Sequence, residues 1–149
     1  MVFMKKYLFI SLLAVLSLCF TSCEENTPQL RKKTIDLEVN ETQWKYTAST
    51  HAYVAHFEVP QITWNIYHYG EISVSHEYYH DSIAAYQVPL PESSYLADTL
   101  SSGAIAFYTQ HISYSAKAGA IDVSYIVSDY YYPEGFNPGK MYFRLQLTY

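Results

Sequence analysis

The 149-residue chain carries nine Lys and Arg against fourteen Asp and Glu, and its 17 Tyr, 7 Phe and 2 Trp make it 17% aromatic. The acidic balance argues against a nucleic-acid partner, because holding a phosphate backbone takes clustered cations that release counterions. Half of the residues are hydrophobic, which excludes a disordered chain, and the length holds one domain rather than two.

The chain begins with an address rather than with fold. Lys5 and Lys6 precede an apolar run from Tyr7 to Phe20 that is too short and wrongly flanked for a spanning helix, but suits an export signal. Phe20-Thr21-Ser22-Cys23 resembles the bacterial lipobox, in which small residues precede a cysteine that is acylated and becomes the mature N-terminus. Cys19 is the rival, but the bulky Leu18 before it does not fit that cleavage pattern; an ordinary secretory signal would leave Cys23 as a free thiol. Two acyl chains hold a protein to a bilayer where one does not. The expected organisation is thus a signal at residues 1–22, lipidated Cys23 with a flexible tether to residue 33, and one domain over 34–149.

Taking 22 residues from 149 leaves 127, with seven basic and fourteen acidic side chains, a net of −7. No thiol pair then remains for a disulfide, so stability rests on the core. Glu24 and Glu25 resemble the acidic surface-export signal of Bacteroidetes lipoproteins, which implies the outer membrane and its outer face; the plain alternative is a hydrophilic tether. The ten residues from Glu24 to Lys33 span at most about 35 Å. Arg31-Lys32-Lys33 reads as a solvated part of that tether or as a contact with anionic lipid headgroups.

From Thr34 onward the apolar period is two. Successive runs are Ile35 to Val39, Ala52 to Val59, Ile72 to Tyr78, Ile83 to Val88, Ala104 to Gln110, Ile121 to Val127 and Met141 to Tyr149. Tyr53, Ala55, Phe57 and Val59 fall on one side, as do Ile72, Val74, His76 and Tyr78, and Met141, Phe143, Leu145, Leu147 and Tyr149. Ile62 to Ile66 suits one short helical turn. Breaks fall at Pro60, Gly70, Pro89, Pro91, Gly103, Gly119 and the Pro133-to-Gly139 loop. About eight short strands without an amphipathic helix predict an all-β, two-layer antiparallel sandwich.

The lipobox start, Trp44, "FEVPQIT" at Phe57 to Thr63, "GEISV" at Gly70 to Val74, "QVPLP" at Gln87 to Pro91, "VSYIVSD" at Val123 to Asp129 and "MYFRLQLTY" at Met141 to Tyr149 resemble a group of small Bacteroidetes lipoproteins. The resemblance implies a β-sandwich without an established activity. Ala104 to Ala116 departs from the pattern as an extra hairpin.

His76-Glu77-Tyr78-Tyr79-His80 matches the H-E-x-x-H string of zinc proteases, which works on a helix, where both His and the Glu meet one metal. On a strand Glu77 points away from His76, and Tyr86 stands where a third ligand would follow, so no catalytic or metal-holding residue and no cofactor is expected. No G-x-S-x-G elbow or phosphate-cradling glycine loop occurs.

Asp81-Ser82-Ile83 and Asp98-Thr99-Leu100 resemble the Bacteroidetes O-glycosylation acceptor, which implies glycans at Ser82 and Thr99 on exposed turns. Asn40-Glu41-Thr42 fits the N-glycosylation sequon, but the lipobox speaks against its use. The uncharged stretch Thr99 to Ala116 carries too many polar residues for a membrane helix. The alternating C-terminus ending on Tyr149 leaves a small outer-membrane barrel as a lesser rival.

Strand usage accounts for most tyrosines but poorly for Tyr130-Tyr131-Tyr132, since neighbours in an extended chain alternate faces; at least one should reach solvent. With Phe136, and with Trp64, Tyr67 and Tyr69 in a second aromatic stretch, they are the candidate ligand contacts, able to stack on a sugar or grip a peptide. The expected protein is lipid-anchored in the envelope and binds a glycan or peptide without catalysis. A structural or adhesive surface subunit is the alternative, and a zinc hydrolase a lesser one.

Overall fold

In a computed structural model, which describes residues 30–80, 83–99, 102–129 and 131–149, the chain forms two antiparallel sheets packed face to face. The strands are β1 Lys32–Val39, β2 Lys45–Thr47, β3 Ala52–Glu58, β4 Glu71–His80, β5 Ile83–Pro89, β6 Glu92–Thr99, β7 Ile105–Lys117, β8 Ala120–Val127 and β9 Met141–Thr148. One sheet has the order β1-β9-β4-β5, the other β2-β3-β8-β7-β6. Both are open, each with two edge strands, and their facing surfaces are apolar, so the architecture is a sandwich and not a closed barrel.

Alternation builds the core. Val74, Phe143, Leu145 and Leu147 from the first sheet meet Ile112, Ile121 and Val123 from the second, all essentially sealed from solvent. The Tyr114 hydroxyl crosses the layers to donate to the Ile72 carbonyl at 2.8 Å. The chain changes sheet between β5 and β6 at a cis Leu90–Pro91 bond, and Leu90 is buried there, donating its N–H to the Val74 carbonyl.

Several expectations shift. Among the described residues there are nine strands, with β2 and β6 beyond the expected runs, and β1 starts at Lys32, so Lys32 and Lys33 belong to the sheet rather than to the tether. Arg31 continues the pairing through two backbone hydrogen bonds with Tyr149. The segment Ala104 to Ala116 is no hairpin but most of one long strand, β7, between β6 and β8. The only α-helix among the described residues, α1 (Trp64–Tyr69), starts two residues later than the expected turn, because Thr63 caps it, its Oγ1 accepting from the Ile66 N–H. It ends at Gly70, where a Cβ would lie 2.8 Å from the carbonyl oxygens of both Ile66 and Thr148, so glycine lets α1 close down on the end of β9.

Registers define two ends. At one, Lys32 of β1 and Glu71 of β4 both face Thr148 of β9, with α1 immediately before Glu71; at the other, Val39 faces Met141. An eight-residue strand separates them by roughly 25 Å. Beyond the second end, Ile105 to Tyr108 pair with β6 alone, so β6 and β7 project past β8 as a two-stranded arm.

Candidate functional site

The described loop residues 128–129 and 131–140 fold back over the end of the second sheet. Asn137 ties the loop down by donating to the Glu41 carbonyl at 2.6 Å, and the indole N–H of buried Trp44 donates to the Gly139 carbonyl at 2.7 Å. Gly135 and Gly139 supply the positive-φ corners. These bonds tie the loop to the β1–β2 connection and to Trp44.

Its aromatic residues pack against a pair on the β2–β3 hairpin. Tyr46 and Tyr53 stand directly opposite each other, with ring centroids 5.4 Å apart. Tyr132 sits edge-on to both, at 5.6 and 5.0 Å, and Phe136 packs on Tyr53 and Tyr132. The polar tips are satisfied: Tyr53 Oη donates to the Phe136 carbonyl, and Tyr132 Oη donates to the His51 carbonyl while accepting from the Val127 N–H. Burial, reinforced by neighbouring tyrosines and Asp129, raises the Tyr132 phenol above its usual pKa, so it stays protonated and able to donate.

Tyr131 differs from Tyr132. It is 70% exposed, and its N–H is held by Asp129 Oδ1 at 3.2 Å. Its ring and Pro133 form the ridge between two depressions. One, of about 120 Å³, runs to Tyr108, Asp129 and Phe136; the other, of about 410 Å³, is bounded by Tyr46, Tyr53, Tyr132 and Glu134. The site is therefore an aromatic platform with Tyr131 as its most exposed ring and carboxylates of Asp129 and Glu134 at its margins.

The expected aromatic set divides. Tyr131, Tyr132 and Phe136 come together here; Tyr130 lies outside the described residues. Trp64, Tyr67 and Tyr69 gather on α1 at the opposite end, where the Trp64 ring is tilted against His68 with centroids 4.1 Å apart and edge-on to Tyr69 at 5.8 Å. Tyr46 and Tyr53 were missed as site residues. The signal was available: two tyrosines flanking the short stretch Thr47 to Ala52 suit a cross-strand aromatic pair. Of the proposed glycan acceptors, Thr99 is exposed as the last residue of β6 rather than in a turn, and Ser82, like Cys23 and the signal segment, lies outside the described residues.

The H-E-x-x-H string lies along β4. His76 faces the core, its ring 5.1 Å from Phe143, with Nδ1 3.1 Å from Glu92 Oε2; the Tyr78 hydroxyl donates to the other oxygen of Glu92. Glu77 points to the outer face and pairs with Arg144. The two side chains thus sit on opposite sides of one sheet. No three His, Cys, Asp or Glu among the described residues are grouped to hold a metal.

On the outer face of the second sheet, His56 lies between Glu58 (Nε2 to Oε1, 2.9 Å) and Asp122 (Nδ1 to Oδ1, 2.5 Å). Hydrogen bonds to Glu58 first and Asp122 second raise its pKa above the ordinary 6.5 by favouring the imidazolium. The stabilisation from this trio is therefore complete below the unfolded value near 6.5 and disappears as pH rises through the higher folded value. A proton NMR titration should place the His56 midpoint above 6.5, and Asp122→Asn should lower it; an unchanged midpoint in that variant would remove Asp122 from the trio.

Comparison with protein-family models, curated proteins and solved structures finds no match.

Proposed function

We propose that the protein is a non-enzymatic glycan-binding domain, held to the bacterial envelope by acyl chains on Cys23 and presenting the Tyr131 ridge to carbohydrate. The observation that carries the reading is the contrast between adjacent tyrosines, one ring fixed in the aromatic cluster and the next exposed between two depressions. A sugar ring offers an apolar C–H face to an aromatic side chain, while its hydroxyls donate to carboxylates such as Asp129 and Glu134. A platform ordered before binding spares the entropy of ordering a loop around its ligand. The site also lies at the end of the sandwich away from Lys32, where the tether joins, so anchoring leaves it open.

A glycan array probed with the purified protein should give hits that disappear with Tyr131→Ala. A blank array, or hits indifferent to that substitution, refutes the proposal; retention of an extended peptide in place of sugars reassigns the site.

A second reading, a self-assembling surface subunit, is favoured by the β6–β7 arm. Tyr95, Ile105 and Phe107 share its outward face, Phe107 being 76% exposed, and β6 is a sheet edge with free backbone groups. If the arm pairs copies of the chain, sedimentation will show concentration-dependent association that Phe107→Lys abolishes. A monomer at every concentration rules this out.

A further inference from the structure

The α1 end carries a surface that the glycan site does not use. Of the six residues of α1 only Ile66 is buried; Trp64 is 58% and Tyr69 80% exposed, Tyr67 is exposed as well, and His68 joins the three rings into one contiguous cluster. Leaving a Trp and two Tyr in water on so short a helix forgoes the burial that large aromatic rings ordinarily gain. Beside them lies a groove of about 490 Å³ formed by Lys33, Ile66, Tyr69 and Tyr149 among others.

Charge is concentrated at the same place. Arg31, Lys32 and Lys33 begin the first strand here, and Lys117 closes β7 at this end, opposite Ala120. Four of the seven basic residues that follow the signal thus crowd one end of an acidic chain, against Glu58 and Glu71 nearby. Arg31, next to the first described residue, also lies at this end, because it is paired to Tyr149.

We propose that this end docks on the surface of an anionic bilayer, with Trp64, Tyr67 and Tyr69 at headgroup depth and Arg31, Lys32 and Lys33 against lipid phosphates. Indole and phenol rings favour the headgroup layer, where one part of the ring is apolar and the other wet. Each Lys or Arg near an anionic surface adds roughly fivefold to partitioning. The short link between Cys23 and Arg31 alone lets the domain tumble beside the membrane; docking fixes its orientation and directs the Tyr131 ridge away from the lipid. The inference rests on the proposed anchoring for its membrane, but not on glycan binding.

The test uses the protein in its processed form, extracted from membranes and reconstituted into vesicles of phosphatidylcholine with or without phosphatidylglycerol, the acyl chains brominated near the headgroup. The expected result is loss of most Trp64 emission in the anionic vesicles. Trp44, buried at the far end beside Gly139, keeps its emission and serves as the internal reference in Trp64→Phe. Exchanging Lys32 and Lys33 for Glu should relieve the quenching. Flotation with the vesicles without quenching of Trp64 overturns docking and leaves anchoring intact, whereas absence of both overturns both. Loss of array hits in Trp64→Ala, with Trp64 emission unquenched in the parent protein, would reassign α1 to the glycan.

Discussion

Replacing Arg144 by Met will cost about 2–4 kcal/mol, seen as a melting temperature lower by about 10 °C. Arg144 stands on the outer face of the first sheet, where its Nε is 2.9 Å from Asp36 Oδ1 and its Nη2 is 3.0 Å from Glu77 Oε1. The two contacts differ in kind. Asp36 is largely in water, so its pair is screened and contributes little. Glu77 is only 3% exposed, covered by Arg144 itself, by Gln87, which donates to Oε1 at 2.8 Å, and by Tyr79, which donates to Oε2.

Met keeps most of the arginine stem and its packing but withdraws the cation, leaving a buried carboxylate with neutral donors only. Full loss of a buried ion pair's partner costs more than this; the third of Arg144 that reaches solvent and the two remaining donors reduce it. Glu77→Gln in the Arg144→Met background should restore most of the stability, because the buried charge has gone as well. If urea denaturation shows Arg144→Met within 0.5 kcal/mol of the parent, a threshold that ordinary surface substitutions meet, Glu77 is solvated and the pair is not buried in solution.

How much of this was legible in the sequence depends on what each segment buries. The faces of β3, β4 and β9 follow from the alternation of residues such as Val74 and His76 or Phe143, Leu145 and Leu147, because the inward side of each strand forms the apolar core. β6 escapes that logic. Ser93, Tyr95 and Ala97 face outward while Ser94 and Leu96 face inward, so an edge strand with one covered face leaves almost no period-two contrast. β2 has only three residues, too few to show a period. β7 is legible only in part, since Ser113 and Ser115 interrupt the apolar run while Tyr114 and Ala116 continue the inner face to Lys117.

The candidate site was half visible for a related reason. Three tyrosines in succession beside a Pro- and Gly-rich loop mark themselves, but that Tyr132 would seat against Tyr46 and Tyr53 is a fact of topology. The β2–β3 hairpin and the loop after β8 are separated by some eighty residues and meet only because β3 pairs with β8. The split of the aromatic set between two ends is equally invisible in a linear chain. It requires knowing that α1 lies beside Thr148, whereas the Tyr131 loop leads into Met141.

Tyr131→Ala and Tyr132→Ala should therefore act on different quantities. Tyr132 makes ring contacts with Tyr46, Tyr53 and Phe136 and two hydrogen bonds through its hydroxyl. Truncating it opens a space under the loop and removes its hydrogen bonds to His51 and Val127, at a cost of about 2–4 kcal/mol in stability, of which about 1 kcal/mol should already appear in Tyr132→Phe. Tyr131 is 70% exposed and its ring contributes far less to packing. Its truncation should leave stability within about 0.5 kcal/mol of the parent while weakening the best array ligand by roughly 30-fold, as expected for an exposed ring that carries about 2 kcal/mol of stacking at the centre of a contact. Tyr131→Phe keeps the stacking face and should retain most of the affinity, which separates ring contact from hydroxyl chemistry. Calorimetric titration with that ligand, alongside thermal unfolding of the same three variants, distinguishes the roles. A Tyr131→Ala protein that binds like the parent means the ridge is not the contact surface; one that unfolds like Tyr132→Ala means the two rings act together as core.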